Sequence, residues 1–154
     1  MKKKIFILLV FFWLIPSSFA QLKTYSFEEV EQLSKVNPKP IVVFIHTSWC
    51  KYCKIMENTT FKNTAVITIL NEHFYFISFD AETKEAILFN QHTFRFHPTG
   101  TNTGIHELAT ALATINNQVI YPTVTILTSN YTIAFQQHSY IPSKAFLEIL
   151  EKTK

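Results

Sequence analysis

Cys50 and Cys53 are the only cysteines among 154 residues, and they stand three apart in Cys50-Lys51-Tyr52-Cys53. Two thiols at that spacing on the first turn of a helix face each other across a distance that a disulfide bridges. A helix start also presents unpaired N–H groups and the positive end of the peptide dipole, which together stabilise a thiolate. Such placement takes a thiol from a pKa of about 8.5 to between about 3.5 and 7.5. Lys51 and Lys54 add positive charge nearby. Cys50 is therefore the expected attacking thiol, and Cys53, one turn further in, the resolving one. Three other uses of the pair compete. A structural staple closing so short a loop gains only about 2 kcal/mol in the chain-entropy account. Zinc needs further ligands, and of the six histidines only His92 and His97 approach a zinc-like spacing. Copper(I) suits two soft thiolates with a remote His, so a copper-binding chaperone stays open.

The elements that must position the pair are legible around it. Ile41 to Ile45 is an unbroken β-branched and aromatic run, the pattern of a strand covered on both faces, and it leads directly to Thr47-Ser48-Trp49-Cys50. A helix is predicted from Cys50 to about Thr60, and a second stripe follows at Ala65, Val66, Ile69 and Leu70. Upstream, Ser26 caps a helix carrying Phe27, Val30 and Leu33, which ends before Asn37-Pro38-Lys39-Pro40. Downstream come a strand over Phe74–Phe79, then strands over Thr123–Thr128 and Tyr131–Phe135 joined at hairpin spacing by Ser129-Asn130. Pro142 and Ser143 open a last helix with Phe146, Ile149 and Leu150 on one face. The long connection from Ala81 to Tyr121 predicts an extra hairpin around Ile87-Leu88-Phe89 and Phe94-Arg95-Phe96. It then predicts a loop with both glycines, and a helix carrying Ile105, Leu108, Ala109, Leu112 and Ile115. The order makes a small α/β domain.

Composition removes several classes of function. The 14 Lys and Arg exceed the 11 Asp and Glu only through Lys2, Lys3 and Lys4, so the body of the chain is neutral. A neutral body without a basic stripe has little with which to neutralise phosphates, which argues against nucleic-acid partners. Gly100 and Gly104 are the only glycines and fit no phosphate-cradling loop. Residues 1–20 run from the three lysines through the apolar stretch Ile5–Ile15 to Ser18-Phe19-Ala20, with small residues at the positions that precede a cleavage site. That is the pattern of a secretory signal peptide. Eleven apolar residues span only ~16 Å as a helix, about half the hydrocarbon core. The expected organisation is a signal peptide over 1–20 and one domain over 21–154. The domain is periplasmic or otherwise extracytoplasmic after cleavage, and membrane-tethered if the signal is kept.

Trp49-Cys50-Lys51-Tyr52-Cys53-Lys54 after an apolar strand, together with Tyr121-Pro122-Thr123 before another, resembles the thioredoxin superfamily over roughly residues 25–152. The resemblance implies a thioredoxin-like fold, a mixed central sheet flanked by helices, with an insertion at about 81–120. It implies that Pro122 is cis and faces the cysteines, so that the backbone of Tyr121 offers an edge to an extended substrate. Trp49, Tyr52 and Tyr121 would then form the apolar rim of the groove. The run from Cys53 to Phe61 is similar to the thioredoxin-like periplasmic domain of the transmembrane disulfide reductase and its exported relatives. In that subgroup a carboxylate near the site falls at Glu57. Four positions depart from the usual pattern. Phe44 stands six residues before Cys50, where thioredoxins bury an Asp that moves the proton of the second thiol. His46 stands where they commonly carry an aromatic residue, and Lys51-Tyr52 replaces the reductive Gly-Pro pair. Glu57, one turn beyond Cys53, is the candidate replacement base, and His46 a candidate tuner of the thiolate.

The expected function is therefore that of a thiol:disulfide oxidoreductase with Cys50 and Cys53 as its redox pair, acting on protein substrates with disulfides or thiols. The direction is expected to be reductive, with a membrane electron-donor protein recharging the pair. Such exchange needs no diffusible cofactor, and a monomer is the expected state. An oxidant or isomerase is the alternative direction. A copper-binding chaperone, or a non-catalytic interaction module using the same groove, is the alternative class.

Overall fold

The computed structural model describes residues 21–154, so the expected signal peptide over 1–20 lies outside the described residues. The chain opens with α1 (Phe27–Ser34), whose Ser26 hydroxyl accepts from the Glu29 N–H while the Glu29 carboxylate accepts from the Ser26 N–H. This reciprocal pair satisfies two of the orphan donors of the helix start. Then follow β1 (Ile41–His46), α2 (Lys51–Asn58), a 3₁₀ turn (Thr60–Lys62), α3 (Thr64–His73) and β2 (Tyr75–Asp80). The predicted helix from Cys50 to Thr60 is thus shorter, because Thr59 leaves helical geometry and Asn63 starts a fresh helix by accepting from Ala65 and Val66 N–H. On α3 the buried stripe is Val66, Ile67 and Leu70, with Ala65 exposed, one position off the expected set.

The long connection folds into three small two-stranded sheets and a helix. β3 (Ile87–Phe89) pairs with β4 (His92–Phe94), β5 (Phe96–Pro98) with β6 (Gly104–His106), and, after α4 (Glu107–Ala113), β7 (Thr114–Ile115) with β8 (Gln118–Val119). Ile105 and Ile115, expected on the helix, belong instead to β6 and β7. Two local features end the helix early. Gly104 lies so close to β5 that a Cβ would sit 2.5 Å from the His97 carbonyl oxygen. Asn116 and Asn117 both take positive φ, as a two-residue hairpin turn requires. β9 (Thr123–Leu127), β10 (Ile133–Gln137) and α5 (Ser143–Thr153) complete the chain. The expected two-residue turn at Ser129-Asn130 is a longer loop, because Tyr131 takes φ 63° and Thr128 Oγ1 gathers the N–H groups of Asn130 and Thr132.

The main sheet has the order β10-β9-β1-β2, with β1 parallel to β2 and antiparallel to β9. Successive residues of β1 point to opposite faces, so one strand feeds two cores. Ile41, Val43 and Ile45 meet α1 and α4 with Phe27, Val30, Leu108 and Ala109, while Val42 and Phe44 meet α2, α3 and α5 with Met56, Leu70 and Phe146. A sheet covered on both faces explains why the strand reads as continuously apolar. It also fixes where β1 ends, and so where Cys50 stands. This is the mixed α/β, thioredoxin-like architecture the sequence implies. No helix among the described residues is long and apolar enough to cross a membrane.

His106, fully buried, caps α4 with its ring: Nδ1 accepts from the Leu108 N–H at 3.2 Å, and Nε2 lies 3.1 Å from the Glu85 carbonyl. Only a neutral imidazole protonated on Nε2 satisfies both contacts. Burial holds its pKa below the ordinary value of 6.5, outweighing the upward pull of the Glu85 carbonyl and Glu107 and acting with His97. The unfolded chain therefore binds the proton more readily, so this cap stabilises fully above about pH 6.5 and weakens as pH falls through the depressed folded value. Amide exchange over residues 85–113 is expected to lose protection as pH falls below about 6.5, whereas a His106→Asn variant, which keeps a capping oxygen, should lose that pH dependence. Equal pH dependence in both proteins would refute the assignment.

Candidate active site

The site is assembled at the end of β1, where the chain leaves the sheet and enters α2. Cys50 is the N-cap of α2, in extended geometry, and its Sγ accepts from the Cys53 N–H at 3.2 Å. Cys50 and Cys53 are joined by a disulfide, with their Cα atoms 5.2 Å apart. Cys50 is 5% exposed and Cys53 fully buried. This asymmetry matches an outer attacking sulfur and an inner resolving one. The N–H that holds Cys50 Sγ is one of the orphan donors of the helix start, placed to stabilise negative charge on that sulfur once the disulfide opens.

Aromatic residues surround the disulfide. Trp49 and Tyr52, which flank Cys50 and Cys53 in sequence, are 67% and 61% exposed. Trp49 meets Tyr121 edge to face at 5.9 Å, and its indole N–H donates to Glu82 Oε1 at 3.1 Å. The Tyr121–Pro122 peptide is cis, and Pro122 is buried. The Tyr121 hydroxyl is buried without a hydrogen-bond partner among the described residues, and burial, with Glu82 and Asp80 behind it, pushes its pKa up to about 12. Tyr52, Tyr121 and Pro122 line one pocket of about 330 Å³ together with His138, Ser139 and Tyr140. The N–H and carbonyl of Tyr121 make no hydrogen bond with a described residue.

Glu57, one turn beyond Cys53 on α2, does not line that pocket. One of its oxygens takes Lys54 Nζ at 2.8 Å and the other faces His46 Nδ1 at 3.9 Å; it makes no hydrogen bond to either cysteine among the described residues. It lines a second pocket, of about 380 Å³, with Phe44, Phe61, Phe76 and Ser78. Burial lowers the His46 pKa, against the upward pull of Glu57 and Asp80. Thus Cys50, Cys53, Trp49, Tyr52, Tyr121 and Pro122 come together at one end of the sheet, and Glu57 with His46 forms a second group. No set of three or more His, Cys, Asp or Glu side chains among the described residues is arranged to hold a metal ion. Sequence reasoning missed Glu82, His138 and Tyr140. Glu82 reaches Trp49 across 33 positions, and no local pattern marks such a partner.

The sequence model of a family described as a thioredoxin-like domain matches residues 27–154. An uncharacterised protein of Caenorhabditis elegans is 39% identical over 57 residues, which is 37% of this chain but only 8% of that protein. Among solved structures, a DsbH oxidoreductase superposes with a TM-score of 0.63 at 18% identity, covering 90% of this chain and 88% of the other. A thioredoxin from Thermus thermophilus gives 0.61 at 20% identity, covering 86% of each chain. The C-terminal domain of DsbD from Neisseria meningitidis, reduced, gives 0.53 at 18% identity, covering 81% and 90%. At these identities the likeness is one of fold. Fold and Cys50–Cys53 disulfide together support thiol–disulfide oxidoreductase activity. Matched over nearly all of its described length and carrying its cysteine pair where the first sheet strand meets a helix, the chain belongs to the thioredoxin-like family.

Proposed function

We propose that this protein is an exported reductant of protein disulfides, working in the periplasm or another extracytoplasmic space. The observation that carries the reading is the Cys50–Cys53 pair at the start of α2, with the outer sulfur held by a helix-start N–H beside an exposed aromatic rim. In the reduced protein, the Cys50 thiolate attacks one sulfur of a substrate disulfide and releases the other as a thiolate. Cys53 then attacks Cys50 Sγ, releasing the second substrate thiol and closing the Cys50–Cys53 disulfide. The proton of Cys53 goes to Glu57, one helical turn away on α2, where neighbouring side chains at this spacing meet. An extended substrate segment lies against the unengaged backbone of Tyr121, with Trp49, Tyr52 and Pro122 as its apolar walls. Export is supported by residues 1–20 and the reductive direction by the Cys53–Phe61 run. A membrane dithiol protein recharges the pair, since each turnover leaves Cys50–Cys53 oxidised.

The test is the reduction potential of the pair in the protein from residue 21 onward, equilibrated with dithiothreitol or glutathione at neutral pH. Family values span about −270 to −120 mV, worth roughly 7 kcal/mol for two electrons. A value toward the low end is expected. One toward the high end makes the protein an oxidant, and a pair with no reversible couple ends the enzyme reading and leaves copper titration as the next measurement.

A further inference from the structure

We propose that His46 is a proton relay between Glu57 and solvent, a positioning residue through which the carboxylate sheds the proton it receives in each exchange. The proposal rests on the reading of Glu57 as acceptor of the Cys53 proton. His46 is the last residue of β1, and its ring stacks on Phe44 at 5.1 Å with an interplanar angle of 26°. Nε2 lies 3.0 Å from the hydroxyl of Ser78, which is exposed on the neighbouring strand β2. Nδ1 is buried and has no hydrogen-bond partner among the described residues. It faces Glu57 Oε1 at 3.9 Å.

The distance has a chemical reason. In the tautomer protonated on Nε2, which donates to Ser78, Nδ1 carries only a lone pair, and an anionic carboxylate likewise only accepts. Two acceptors do not bond, so they stand apart and the buried nitrogen is left empty, an arrangement that costs free energy in the resting state. A proton arriving on Glu57 turns one acceptor into a donor, and a small side-chain movement then closes the gap. The groups around the ring suit a transient cation. Glu57 on α2 and Asp80 on β2 favour imidazolium, Lys54 on α2 opposes it, and burial keeps the ring neutral at rest. As Cys53 attacks Cys50 Sγ, its proton passes to Glu57, then from the carboxyl to Nδ1. The imidazolium releases one proton to water at the Ser78 edge, and exchange with water restores the resting tautomer. One proton leaves the protein for each Cys53 thiol consumed, and no electron moves along this path.

Wild type, His46→Phe and Glu57→Gln are compared by the pH dependence of disulfide exchange at rising concentrations of a small buffer such as imidazole. His46→Phe keeps the stack on Phe44 and removes both nitrogens. It is expected to lower the rate about a hundredfold at low buffer, the lower end of what a positioned proton-transfer group contributes. The rate should recover as buffer replaces the relay, while wild type is indifferent to buffer. A deficit in His46→Phe that is equal at every pH and buffer concentration overturns the relay as a mere packing effect, and an unchanged rate overturns it too. An altered pH profile in Glu57→Gln with none in His46→Phe removes the relay alone; an unaltered profile in Glu57→Gln removes the base reading and the relay with it. In the wild type, nitrogen NMR titration should give His46 different midpoints in the disulfide and dithiol forms. Identical midpoints overturn the coupling without any variant.

Discussion

Replacing Cys50 by Ser is expected to bring disulfide exchange down to the uncatalysed background, a loss on the order of a thousandfold or more, while the protein stays folded. The chemistry requires a sulfur that is anionic near neutral pH, and a serine hydroxyl is not. The fold should tolerate the change for a local reason. Cys50 is the N-cap of α2 and accepts from the Cys53 N–H, a role in which serine is among the preferred residues. The lost disulfide closes so short a loop that it contributes only about 2 kcal/mol. Substitution of Cys53 should have the opposite signature. Cys50 can still attack, but with the buried resolving sulfur gone the substrate remains attached. A Cys53→Ser protein should therefore accumulate a mixed disulfide at one substrate thiol per chain, read by mass spectrometry under non-reducing conditions. Residual turnover in the Cys50 variant, or no trapped adduct in the Cys53 variant, would show that the two sulfurs are not used in this order.

Legibility in the sequence followed how locally each feature is determined. The cysteine pair stood out because β1 is buried on both faces, so its unbroken apolar run points to the place where the chain leaves the sheet. The start of α1 was equally plain, since Ser26 and Glu29 hold each other within one turn. The connection before β9 was harder. Its apolar residues keep a helix-like spacing from Ile105 to Ile115, but Gly104 packed against β5 and the paired left-handed residues Asn116 and Asn117 convert both ends to strand. Glu82 was invisible because its meaning depends on Trp49 being brought to it by the fold. Glu57 was marked by the resemblance of the Cys53–Phe61 run to a thioredoxin-like subgroup, whereas its position opposite an unpartnered nitrogen of His46 required the packing of β1 against α2.

Restoring the carboxylate that thioredoxins bury at the position of Phe44 should damage this protein instead of improving it. Phe44 is fully buried and meets Phe61 at 4.7 Å, and Phe61 in turn meets Phe76 at 4.9 Å and Phe146 at 5.7 Å. Removing the ring costs about 3–5 kcal/mol in lost transfer energy and cavity, before any charge is considered. An aspartate there lies among these rings, with Glu57, Lys62 and Ser78 on the same pocket; desolvation and the like charge of Glu57 oppose its charged form, and the exposed Lys62 offsets only part of that. Its folded pKa should rise above the unfolded value of about 3.9. The folded state then binds the proton more tightly, so Phe44→Asp should be least stable at neutral pH and recover part of the loss as pH falls through the raised folded value. Urea unfolding of both proteins at about pH 7 and pH 5 measures this, against a total stability of roughly 5–15 kcal/mol for a domain of this kind. A variant as stable as the wild type at neutral pH would mean that the pocket solvates a charge, and that the absence of the usual buried base does not explain why a carboxylate stands at Glu57.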